Sequence, residues 1–258
     1  MNDCFEDKAP SVSGALADTS VEMSFGRAAK TYWENAAVQR ALGEWLSEWL
    51  PMRREGRALE VGAGPGLFTR LLVPWLGYLR ATDISNAMCQ AGRLRVPTAD
   101  WRQMAAEFPD DGPWDFMISC GMFQWIDNPA AVLAAWKAEL APGGRIIAAL
   151  FASESLSELR EAMGEDGPVS WRTPEDWRAA AEAAGLRVIR DTVKLRTFHN
   201  PSATALMRGL HLIGAAPERK WSPSRMRRFL RDYDARNGSD QGVTSTWTFY
   251  RFEASSAG

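Results

Sequence analysis

Histidine and cysteine are scarce in this chain of 258 residues: there are two histidines, His199 and His211, and three cysteines, Cys4, Cys89 and Cys120. An odd, scattered trio of cysteines makes neither a disulfide framework nor a zinc site, and two histidines cannot fill a His-rich metal centre, so no metal is expected. No apolar run reaches the roughly 18 residues of a membrane span. The opening "MNDCFEDKAPSVSGALADTS" is acidic and polar, without the apolar core of a signal peptide. Neither sign of charge dominates: 30 basic against 32 acidic side chains leave a net charge of −2, with no global pull toward nucleic acid or anionic membrane. These absences describe a cytoplasmic protein in a reducing compartment, without nucleic acid or membrane as partners and a monomer by default.

What is present suits one α/β domain with an elaboration. Residues 1–20 read as a disordered N-terminus and 253–258 as a disordered tail around a single domain, 21–252. In residues 21–50, Ala36, Ala37, Leu42, Trp45, Leu46, Trp49 and Leu50 recur at helical intervals. Strand and helix patterns alternate through 57–151, beginning at "RALEV" and ending at "GGRIIAALF". That rhythm predicts a doubly wound parallel sheet of Rossmann-like type, with ligands bound beyond the carboxyl ends of the strands. Residues 152–240 read as a helical insertion with a late strand, in which Thr173 caps a helix with Asp176 three residues on. A last strand is expected at 243–252.

The most informative stretch is "ALEVGAGPGLFTRLL", residues 58–72. Its glycines, Gly62, Gly64 and Gly66, fall at every second position, which is neither the dinucleotide fingerprint nor a P-loop. No basic side chain lies between them, and Glu60 precedes them, so a pyrophosphate would be repelled and a cation welcomed. Asp83 follows Gly66 by 17 residues, where a carboxylate can hold a ribose diol. A ribose-bearing ligand with positive charge and no phosphate fits, and S-adenosylmethionine is such a ligand.

At these residues the chain resembles the class I methyltransferases: "LEVGAGPG" is similar to their first motif, "ATDIS" to their second, and "WDFMISCGMFQWIDNPAAVLAAWKAELAPGGRI" to their fourth and fifth. The resemblance implies a seven-stranded sheet with a C-terminal helical lid. The cofactor set then takes in Glu60, Gly62, Ala63, Gly64, Gly66, Asp83, Ile84, Ser119 and Cys120. One branch matches further. "SFGRAAKTYWENAAVQ" (24–39), "FQW" (123–125), "SLSELREA" (155–162), "LMRGLHLIGA" (206–215) and "TWTFYRF" (246–252) resemble the malonyl-acyl-carrier-protein O-methyltransferases of biotin synthesis. That family usually has lysine where His211 stands. It also places an acid before A-E-x-L-P to recognise adenine; "QMAAEFP" puts Met104 there and offsets Glu107 by one residue, so Met104 and the Ala105 amide are expected to hold the ring.

By this resemblance Phe25 and Tyr32 cover the methionine end of the cofactor, and Arg27 meets a carboxylate of cofactor or acceptor. Tyr32, Gln124 and Trp125 face the reaction centre. In "ERKWSPSRMRRFLRDY", Met226, Phe229, Leu230 and Tyr233 share one helix face. The same stretch concentrates Arg225, Arg227, Arg228 and Arg231, which would dock an acidic acyl carrier protein bearing a malonyl group. Malonyl-coenzyme A is the alternative carrier. Two other readings stay open: a methyltransferase of the same fold acting on a small free acid such as trans-aconitate, and a non-catalytic binding protein.

Overall fold

The computed structural model describes residues 12–50, 56–164, 167, 169–216 and 221–256, with side chains from residue 20 onward. Its centre is β1 (Arg57–Val61), β2 (Tyr78–Asp83), β3 (Asp100–Gln103), β4 (Trp114–Cys120) and β5 (Leu140–Phe151). β1 and β4 are nearly continuous apolar runs, buried on both faces, as parallel strands covered by helices must be. Two long strands, β6 (Leu186–Asn200) and β8 (Gly242–Ser256), complete the order β3-β2-β1-β4-β5-β8-β6. β1 to β5 pair in parallel, and β8 runs antiparallel to both β5 and β6. The expected seven-stranded sheet is therefore present, with a two-residue strand, β7 (Gly238–Ser239), added beside β8.

The helices are α1 (Val12–Ala28), α2 (Tyr32–Asn35), α3 (Ala37–Ser47), α4 (Thr69–Leu72), α5 (Asn86–Arg95), α6 (Pro129–Ala138), α7 (Ser157–Met163), α8 (Pro174–Ala183), α9 (Ala203–Leu212) and α10 (Pro223–Asn237). Side chains alternate across the sheet. Ala58, Phe116 and Ile118 enter the core shared with α3, α9 and α10, while Leu59, Val61 and Met117 enter the one shared with α6 and α8. The order reverses between β1 and β4, so the carboxyl ends of those strands and of β2 frame one crevice. Among the described residues no helix is long and apolar enough to cross a membrane.

Three expectations are corrected. Residues 12–20 belong to α1 rather than to a disordered end, while 1–11 lie outside the described residues. β8 continues to Ser256, with Glu253 and Ala254 buried, so most of the supposed tail is sheet. The helices expected over 21–50 are α1, α2 and α3. β3 was not anticipated: only Trp101 of its four residues is buried, so apolar alternation has too little length to appear. Thr173 and Asp176 do close the anticipated capping box on α8, with the Asp176 amide donating to Thr173 Oγ1 at 3.1 Å and the Thr173 amide to Asp176 Oδ2 at 2.8 Å.

Candidate active site

The glycine loop leaves β1 at Val61 and turns back at once, held by the Ala63 amide donating to the Thr82 carbonyl at 2.8 Å. Gly62 (φ +72°) and Gly64 (φ +55°) occupy left-handed backbone that side chains resist. A Cβ on Gly62 would lie 2.5 Å from the Met122 side chain, whereas one on Gly64 would meet no protein atom within 4 Å. Gly64 thus presents bare backbone to open space, a cradle that a Cβ would fill. Gly66 has a different task. Its Cβ would press on Val96 (3.1 Å) and Trp101 (3.3 Å), so it serves packing of the loop rather than approach to a ligand, and it does not line the crevice.

Asp83 closes the loop from β2. Its Oδ2 accepts the Gly64 amide and its Oδ1 the Ser85 amide, each at 2.9 Å. Burial pushes its carboxyl up to about 6, against the downward pull of these two amides. Glu60 is pushed up to about 8, chiefly by burial and further by the charge of Asp83, and its Oε2 has no hydrogen-bond partner among the described residues. A buried acid with an orphaned oxygen beside a second acid suits a cation.

The crevice spans about 930 Å³, solvent at its open mouth included. Phe25, Tyr32, Gly62, Ala63, Gly64, Asp83, Ile84, Met104, Cys120 and Trp125 line it, as expected from the sequence. Ser119 and Glu60 lie just behind the lining, fully buried near the strand ends. Ala105 is displaced by its neighbours: Ala106 and Glu107 line the crevice instead, and the Ala105 carbonyl accepts the Phe108 amide at 3.2 Å. Arg27 is the clearest departure. Val21 and Phe25, one turn apart, face the crevice, and two further residues rotate Arg27 to the opposite, exposed side of α1.

A second cavity, about 690 Å³, adjoins the first and shares Phe25, Tyr32, Gln39, Gly121 and Trp125 with it. Its far wall is apolar, built by α7, α9 and the sheet through Leu159, Met163, Leu210, Ile213, Phe151 and Trp247. Gln124 lines only this cavity, its Nε2 donating to the Gly121 carbonyl at 2.6 Å. Trp125 meets Phe25 edge-on at 5.2 Å. Burial, then the charges of Cys120 and Asp83, raise the Tyr32 phenol, so it keeps its proton at neutral pH. Arg160 is the one charged side chain on the described lining; it stacks over Trp171 at 5.0 Å and donates to the carbonyls of Ser153 and Ser155.

Gln39 went unassigned in the sequence although it ends a motif that drew attention. It lines both cavities, and its Oε1 is buried without a partner among the described residues. The lid is tied to this junction: Thr31, which precedes α2, donates to the Leu212 carbonyl at the end of α9 (2.7 Å). The arginines of α10 divide. Arg225 and Arg228 share a cleft with Arg236, whereas Arg227 and Arg231 lie outside it, Arg231 paired with Asp232 at 3.1 Å.

Comparison with known proteins gives the family and the fold. The profile of a family described as a methyltransferase domain matches residues 32–191. The bifunctional biotin-biosynthesis protein BioCD of Bordetella avium is 34% identical over 91% of this chain, which spans 52% of that protein's length. The malonyl-acyl-carrier-protein O-methyltransferase of Alcanivorax borkumensis is 30% identical over 93% of this chain and 90% of its own. Among solved structures, the YcgJ protein of Bacillus subtilis superposes with a TM-score of 0.61 at 14% identity, over 84% of this chain and 99% of that one, a likeness of fold.

Proposed function

Since the chain belongs to the methyltransferase domain family, and within it to the malonyl-acyl-carrier-protein O-methyltransferases, we propose that it esterifies the free carboxylate of a malonyl thioester on acyl carrier protein, at the start of the pimeloyl branch of biotin synthesis. The observation that carries the reading is the pair of cavities meeting at Phe25, Tyr32, Gln39, Gly121 and Trp125. One cavity has the glycine loop and Asp83, with Glu60 just behind them; the other is walled largely by apolar side chains of α7, α9 and the sheet. A donor and an acceptor held in them would meet at the shared wall.

S-adenosylmethionine, when bound, supplies a methyl group on a sulfonium, an electrophile that needs no further activation. Asp83 would take its ribose hydroxyls, Ile84, Met104 and Ala106 its adenine, and the Gly62–Gly64 backbone with Glu60 its cationic amino acid end. The acceptor carboxylate is ionised at neutral pH, so no general base is required. His199 and His211 line neither cavity, consistent with that chemistry. What the chain contributes is orientation and dryness. Holding the reactants in attack geometry is worth up to about 7–11 kcal/mol, and an apolar wall strips the water that blunts a carboxylate. The Tyr32 hydroxyl and the Gln39 amide stand where they can donate to the carboxylate oxygen that does not react.

A small polycarboxylic acid suits the second cavity less well, because Arg160 alone of the described lining residues offers positive charge. Turnover of malonyl-acyl carrier protein, malonyl-coenzyme A and trans-aconitate in parallel tests the assignment. Methylation of the malonyl thioesters with trans-aconitate untouched supports it, and preference for the free acid refutes it.

A further inference from the structure

On α10, Phe229 and Tyr233 are buried, and the flank beside them carries Arg225, Arg228, Asp232 and Arg236 at spacings of three and four residues, one continuous row on the helix. This row faces α7 across a cleft of about 760 Å³, in which Trp221 forms a further wall and Arg225 stacks over it at 4.3 Å. Among the described residues none of the three arginines pairs with a carboxylate. Asp232, the acid in the row, is engaged by Arg231 from outside the cleft. Three guanidinium groups thus share one wall with a single carboxylate, Asp232, itself engaged by Arg231; the Glu158 carboxylate acts on Tyr233 from α7, and the row keeps an excess of positive charge that an entering anion would offset.

The position of the cleft says which anion. Met163, the last residue of α7, is buried and lines both this cleft and the acceptor cavity, so the two spaces adjoin at its side chain. An acceptor filling both would have an apolar arm in the cavity and an anionic group at its outer end. A phosphodiester suits planar guanidinium groups, which bind it through paired N–H donors.

Resting on the malonyl thioester reading, we propose that Arg225, Arg228 and Arg236 form the subsite for the phosphate of the phosphopantetheine arm, with the arm passing Met163 into the acceptor cavity. The same phosphate joins pantetheine to a carrier-protein serine and to the nucleotide of coenzyme A, so the subsite would serve either source. Of the four arginines that stand out in the sequence as a protein-docking patch, the cleft takes two, Arg225 and Arg228, and adds Arg236.

The test compares kcat/KM for malonyl-pantetheine, malonyl-4′-phosphopantetheine, malonyl-coenzyme A and malonyl-acyl carrier protein, using the full chain and an Arg225→Gln, Arg228→Gln, Arg236→Gln triple variant. The native chain is expected to favour malonyl-4′-phosphopantetheine over malonyl-pantetheine by at least tenfold. The triple variant should lose that preference while turning over malonyl-pantetheine at the native rate, which also shows that it is folded. Equal use of the two small thioesters by the native chain, or a preference surviving in the variant, overturns the subsite. An advantage confined to the carrier protein also overturns it, since the arginines would then read the protein surface. No methylation of any malonyl thioester by the native chain would instead bring down the functional reading on which the subsite depends.

Discussion

Replacing Asp83 by asparagine should separate its two tasks. In the native chain both carboxylate oxygens already accept a backbone N–H, from Gly64 and from Ser85, each at 2.9 Å. An amide keeps one acceptor and turns the other into a donor, so one buried N–H faces another. An unsatisfied buried donor costs about 1–3 kcal/mol, which in a protein of this size lowers the melting temperature by about 3–10 °C. The second task is recognition: charge-assisted hydrogen bonds to the ribose hydroxyls are worth about 1.5–3 kcal/mol, so the cofactor dissociation constant should rise about tenfold to 150-fold. Calorimetric titration with S-adenosylmethionine or its demethylated product reads the constant, and scanning fluorimetry reads the melting temperature. A pH series adds an independent handle. With the carboxyl near 6, about nine-tenths of Asp83 is protonated at pH 5, and affinity should be about tenfold weaker there than above pH 7 from this group alone. The Asp83→Asn variant should lack that limb. Affinity within twofold of native, or a variant retaining the limb near pH 6, would refute the ribose assignment.

Glu60 supplies a pH dependence of stability whose sign can be fixed. Its folded pKa, about 8, lies above the ordinary carboxylate range, so between about pH 4.5 and 8 the folded state holds a proton that the unfolded state has lost. Its contribution to stability without cofactor must therefore fall as pH rises through that window, and Glu60→Gln should flatten the fall in a melting series; an unchanged slope would clear Glu60 of the effect. Gly64→Ala places a methyl in open crevice at φ +55°, costing about 1–2 kcal/mol of backbone strain and obstructing the cofactor, whereas Gly66→Ala meets Val96 and Trp101. The first variant should lose affinity beyond its modest loss of stability, and the second should lose mainly stability; the reverse ranking would contradict the assignment. Gln39→Leu should lower kcat at least tenfold while cofactor affinity changes less than threefold, and equal losses in both would make Gln39 structural.

The parts of the site carried by one unbroken segment were legible in the sequence. The loop from Glu60 to Gly66 is covalently local, and β2 pairs with β1 so that Thr82 lies opposite Val61 and Asp83 follows directly at the loop. Spacing alone thus found the two acids and the glycines. Residues contributed by helices were harder, because their direction depends on rotation about an axis that only packing sets. Phe25 and Arg27 stand two positions apart and end on different sides of α1. Arg236 lies eleven residues beyond Arg225 and joins it on one wall only once α10 exists as an unbroken helix. Gln39 is a polar residue in an amphipathic pattern, which gives no sign that it borders two cavities. Within "LFTRLLVPWL" the helix α4 stops at Leu72, because Pro74 turns the continuation into a single 3-10 turn at Val73–Trp75.

The most direct measurement incubates malonyl-acyl carrier protein with the chain and S-adenosylmethionine labelled with carbon-13 in its methyl group, then weighs the carrier by mass spectrometry and locates the label by carbon NMR. The account expects one added methyl group, resonating as the O-methyl of an ester. A label resonating as a methyl on carbon would place the transfer there, and no added methyl with the cofactor still bound would show that the second cavity receives a different acceptor.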